Sequence, residues 1–169
     1  MSTEQIRDAI SKAAQTLTEQ PEKARREDAP ALCELEDGLR FRITGPGGEL
    51  IHTDMPPGVG GGATAPRPGW LMRAALASCN ATCIAMRAAQ CGIELSHLEV
   101  TVSSWTNRRA FLGLDDSVSA GMQPLRLHVK ISAPDTPEEE LRSLVRWANA
   151  HSPVGCTDLS ALEVDVQVD

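Results

Sequence analysis

The chain contains no tyrosine, two phenylalanines and three tryptophans, so aromatic residues make up 3% of its 169 positions. That scarcity excludes a base-stacking platform for single-stranded nucleic acid. No Lys/Arg block occurs, and the net charge of -7 is the wrong sign for a phosphate-backbone binder; no nucleic-acid partner is expected. No apolar run approaches the roughly 18 residues of a membrane span, so no membrane partner is expected either. The opening MSTEQIRDAI lacks the apolar segment and positive flank of a secretory signal. Five cysteines, an odd number at irregular spacing, do not make a disulfide framework, and a reducing cytoplasm is the natural setting. Walker A and G-x-S-x-G signatures are absent. GVGGGA at 58–63 fits a loose dinucleotide fingerprint, but Pro66 and Pro68 stand where its helix should open, and no cofactor is expected.

What is present reads as one α+β domain, residues 28–169, behind an N-terminal helical extension, residues 1–27. Ser2 and Gln5 can form a capping box for a helix from Thr3 to about Thr18, ended by Pro21 and followed by a solvated linker, EKARRED. That helix could dock on a partner subunit or act as a local lid. GLRFRITG alternates, GPGG is a turn, and ELIHTD is the returning strand of a hairpin. MPPGVGGGATAPRPG is expected to be a flexible loop. Residues 98–105, 125–131 and 162–168 alternate as three strands of one half-covered sheet, with Leu162, Val164, Val166 and Val168 facing inward. Thr136, Pro137 and Glu139 open a further helix with Leu141, Leu144, Val145 and Ala148 as its buried stripe. Ser152-Pro153 should break it and start a short turn.

Residues 68–91 form the unusual helix. On a wheel Arg73, Asn80 and Arg87 share one stripe, and nearly everything else is Ala, Leu, Met, Ile or Cys. A helix apolar around most of its girth must be buried on several sides. Seven alanines between 74 and 89 would admit another helix closely, which points to an intimate dimer. Coverage by the chain's own first helix is the alternative.

Cys79 and Cys83 lie four apart on one flank of this helix. Their near-parallel side chains cannot easily form a disulfide. Both also suit plain apolar packing. With His151 and Cys156 they match no zinc spacing, and no metal is expected. His128 alternates to the outer face of its strand, while His151 near a helix C-terminus is favoured by the dipole.

PRPGWLMRAALASCNATCIAM, with GGG before it and GIELSHLEV and HSPVGCTDL after it, resembles the OsmC/Ohr family over roughly residues 35–169. The resemblance implies an intertwined α+β homodimer with two long buried central helices, and reduction of organic hydroperoxides or hydrogen peroxide. In such proteins one cysteine attacks the O–O bond and becomes a sulfenic acid, and a second condenses with it before an external dithiol reduces the pair. The attacking cysteine corresponds to Cys79.

Two departures stand out. The second cysteine's place is taken by Ser152, leaving Cys156, four residues on, as a substitute. The family's Glu, ten residues before the first cysteine, is Gly69; its Arg partner falls in the region of Arg40 and Arg42. The resemblance therefore implies a slow thiol-dependent hydroperoxide reductase using Cys79, alone or with Cys156, in a pocket lined by residues such as Leu76 and Met72. A non-catalytic relative that binds a small apolar ligand or partner is the alternative, and a metal or redox-sensing site at Cys79, Cys83 and Cys156 is a third reading.

Overall fold

A computed structural model describes residues 2–168. Helix α1, Thr3–Glu19, opens on the reciprocal Ser2–Gln5 capping box. Strands β1, Leu32–Asp37, β2, Arg40–Thr44, and β3, Leu50–Thr53, form an antiparallel sheet in chain order. The β2–β3 hairpin is the expected one, with Ile43 opposite Ile51. Strand β1 was not legible: LCELED alternates only weakly, and all six of its residues are exposed.

Helix α2, Pro68–Gln90, carries both central cysteines. It ends because Gly92 adopts φ 72, which lets Ile93 N–H reach Ala88 C=O at 2.9 Å and Gly92 N–H reach Ala89 C=O at 3.0 Å. Strands β4, His97–Ser104, and β5, Leu125–Ser132, pair antiparallel as a second sheet, joined through the one-turn helix α3, Arg108–Phe111. Leu98, Val100 and Val102 turn toward the helices, and His128 is exposed as its alternation requires. Helix α4, Glu138–Ala150, and the single turn α5, Pro153–Cys156, complete the fold.

The core lies where α2, α4 and the second sheet meet. Ala88, Leu141 and Leu144 pack with Ile93, Leu95, Ile131 and Ala133. Helix α1 lies along α2 with Ile6 and Ile10 half-buried, as the alternative reading of the central helix had it. Among the described residues only six apolar side chains are buried: Ile84, Ala88, Ala89, Leu141, Leu144 and Ala148. That is a small core for this length, and much of the girth of α2 stays half-exposed within one chain. Among the described residues no helix is long and apolar enough to cross a membrane.

Three expectations need correction. Residues 162–168 form no strand: Leu162, Val164, Val166 and Val168 are 71–87% exposed, so alternation found no sheet edge within this chain. The sheet expected to have three strands therefore has two. Thr136 does not cap α4; its hydroxyl turns back to Pro134 C=O at 3.1 Å, and Pro137 is the capping residue without a side-chain bond. Glu139 pairs with Arg146 instead of reaching back to the helix start. The Gly/Pro loop is pinned by hydrogen bonds to Asp54, which is 2% exposed.

Candidate functional site

The site is built on the middle of α2 and the turn after α4. His151 ends α4, and Pro153 opens α5, which folds residue 152 back toward α2. Ser152 caps α5, accepting Gly155 N–H at 3.1 Å on its hydroxyl. The same Oγ lies 3.2 Å from Cys79 Sγ and 3.3 Å from Asn80 Nδ2. Ser152 and Asn80 are 0% and 1% exposed, while Cys79 is half-buried.

Cys83, one turn along α2, points to His151 C=O at 3.7 Å. Burial pushes its thiol up, and the adjacent Cys79, by its charge and by accepting a hydrogen bond, adds to the effect; Cys156 contributes further. Cys83 therefore keeps its proton at neutral pH. Cys156 sits at the end of α5 with its sulfur 3.5 Å from Ala150 C=O and 3.8 Å from Asn149 C=O, engaged with the C-terminal end of α4. Of the two sulfurs singled out in the sequence, the fold seats Cys79 against Ser152 and turns Cys156 to the α4 carbonyls. Among the described residues no three His, Cys, Asp or Glu groups converge on a metal-sized site.

The two arginines of β2 are committed elsewhere. Arg40 donates to Glu36 at 2.9 Å and to Thr64 Oγ1 at 2.7 Å, and Arg42 donates to Glu34 at 2.8 Å. At Gly69 an added Cβ would meet Met122 Sδ at 3.2 Å, with Arg73 Nη1 at 3.8 Å. Met122 thus occupies the space a longer side chain there would need.

A cleft of about 340 Å³ opens at the N-terminal end of α2, lined by residues including Met55, Pro56, Ala65, Pro66, Arg67 and Trp70. Its floor is the pinned loop. Asp54 accepts from Thr64 N–H at 2.9 Å, Thr64 Oγ1 at 2.8 Å, Met55 N–H at 2.7 Å and Gly62 N–H at 3.3 Å. The two bonds from Thr64 lead in lowering the Asp54 carboxyl from the ordinary 3.8 to about 2; burial opposes them, and the amides of Met55 and Gly62 assist. Leu76, expected to line a substrate pocket, lies against Gly155 of α5.

Sequence reasoning missed Asn80 and Asp54 as organising groups. An amide in the middle of a largely apolar helix, and a carboxylate just before a Gly/Pro loop, were the available signals.

The family profile described as OsmC-like protein matches residues 60–167. Among curated proteins none matches the sequence. Solved structures do match in fold. An OsmC-like protein from Mycoplasma pneumoniae superposes with TM-score 0.67 at 18% identity, covering 86% of this chain and 98% of its own. An OsmC-like protein of unknown function from Vibrio cholerae gives 0.64 at 12% identity, covering 77% and 92%. An organic hydroperoxide resistance protein from Elizabethkingia anophelis gives 0.57 at 16% identity, covering 78% and 87%. With the family profile spanning most of the chain and the same α+β arrangement in these neighbours, the chain belongs to the OsmC-like protein family.

Proposed function

We propose that this protein is a thiol-dependent hydroperoxide reductase that works through Cys79 as a homodimer. The observation that carries the reading is the seating of Cys79, the residue that the resemblance marks as the attacking thiol: it is half-buried, with Ser152 Oγ at 3.2 Å. Relatives of the same fold named as organic hydroperoxide resistance proteins support the substrate class.

The Cys79 thiolate attacks one oxygen of ROOH; an S–O bond forms as the O–O bond breaks, and the departing alkoxide takes a proton to become ROH. Cys79 is left as a sulfenic acid. A first external thiol displaces its hydroxyl as water and forms a mixed disulfide, and a second thiol releases Cys79. Ser152 cannot supply an internal thiol, and Cys156 is held on the end of α4, so recycling depends on the external reductant and is slow.

Two features support the dimer. Leu32, Leu35, Leu50 and Ile51 of the first sheet are exposed, and that sheet is held by its own strands rather than by helices. The exposed Leu/Val series at 162–168 adds a second uncovered apolar stripe. A partner copy that buries both would also bring further side chains toward α2.

The test is consumption of cumene hydroperoxide and of hydrogen peroxide with dithiothreitol, beside mass spectrometry of trapped Cys79. Faster consumption of the organic peroxide and a sulfenic adduct at Cys79 are expected. An unmodified Cys79 after excess oxidant would sink the reading and leave a ligand-binding member of the family, which the filled space at Gly69 would then explain.

A further inference from the structure

We infer that Ser152, oriented by Asn80, is a dedicated hydrogen-bond donor to the sulfur of Cys79 and a positioning residue for its thiolate. The donors and acceptors around Ser152 set the direction of its hydroxyl. Asn80 lies within reach of Leu76 C=O at 3.0 Å, and a carbonyl only accepts, so the amide nitrogen must face it. The second N–H of that same Nδ2 is directed at Ser152 Oγ at 3.3 Å. Gly155 N–H, which also can only donate, reaches Ser152 Oγ at 3.1 Å. Both acceptor positions of the hydroxyl are thereby filled. Its one proton has a single remaining partner, Cys79 Sγ at 3.2 Å.

The polarity of the Ser152–Cys79 bond is thus set by its neighbours. An O–H donated to sulfur stabilises the thiolate over the thiol. The position matters as much as the direction. Ser152 is fully buried and fixed by Pro153 and the α5 cap, and Asn80 adjoins Cys79 on α2, so little reorganisation accompanies ionisation. Where a relative would carry a thiol that reacts with the first sulfur, this chain holds a hydroxyl that only solvates it. Arg40 and Arg42, being paired with Glu36 and Glu34, do not compete for that role within the chain.

The inference rests on the proposed function only for its consequence in turnover; the bond itself is a property of the resting protein. The experiment is therefore alkylation of Cys79 by iodoacetamide across pH, read site by site by mass spectrometry, with no peroxide present. In Ser152→Ala the Cys79 profile should move to higher pH, with the reaction at neutral pH slower by about tenfold. Ser152→Thr, which keeps the hydroxyl, should restore the wild-type profile. Asn80→Ala frees the hydroxyl to turn elsewhere and should give a smaller shift in the same direction. A profile for folded Ser152→Ala that superimposes on wild type overturns the inference. Should that variant fail to fold, Asn80→Ala decides: an upward shift supports the relay, and an unchanged profile overturns it. Loss of peroxide turnover in the wild type, with the alkylation shift intact, would count against the proposed function and leave the relay standing.

Discussion

Cys79 and Cys83 are chemically identical and one helical turn apart, yet their surroundings differ. Cys83 is raised by burial and by its neighbour, so it stays a neutral thiol against His151 C=O. Cys83→Ala should keep peroxide consumption within about twofold of wild type and cost about 1 kcal/mol of stability, a small-cavity effect readable in urea denaturation. Cys79→Ser should abolish consumption while leaving the far-ultraviolet circular dichroism unchanged. Ser152→Cys is the complementary change: oxidation should then yield a disulfide between positions 79 and 152, seen as a mass loss of two hydrogens in non-reducing peptide maps.

Among the elements, the loop before α2 is held by one carboxylate. Asp54 is depressed from 3.8 to about 2, so its contribution is fully present above the ordinary carboxylate value. It is lost as pH falls through about 2, when protonation removes acceptor strength toward Thr64, Met55 and Gly62. Protection of the amide hydrogens over residues 55–66 should fall in acid before that of the α2–α4 core. Asp54→Ala should produce the same local loosening at neutral pH. The loop also needs a glycine at position 61, where a Cβ would collide with Met55 C=O. The core is tested at Leu144, 3% exposed against Ala88 and Leu141. Leu144→Ala should destabilise the fold by about 2–5 kcal/mol in denaturant titration.

For the whole molecule, the balance of buried and exposed apolar surface bears on the proposed dimer. Among the described residues, the six buried apolar ones leave the first sheet, much of α2 and the C-terminal stripe uncovered. Sedimentation should report a dimer at micromolar concentration. Ile51→Lys, placing a charge on β3 where Ile43 is its cross-strand neighbour, should shift that equilibrium toward monomer. A monomeric wild type with undiminished activity would contradict the proposed dimer.

The sequence by itself determined the local structure wherever a periodic pattern met clear punctuation. The Ser2–Gln5 box set the start of α1, Pro68 and Gly92 bracketed α2, and alternation marked β2 through β5. These signals act over a few residues and need no distant partner. The family was equally local, because AALASC and the SPV element lie in short contiguous runs. Only the tertiary structure decided what those runs face. Alternation at 162–168 states a preference for a strand but supplies no edge to pair with, and within one chain none is reached. Asn80 looked like a polar interruption in an apolar helix until Ser152, 72 residues away, filled its donor. Hydrogen-bond polarity is fixed by the full set of neighbours around an atom, and that set exists only after the chain has folded.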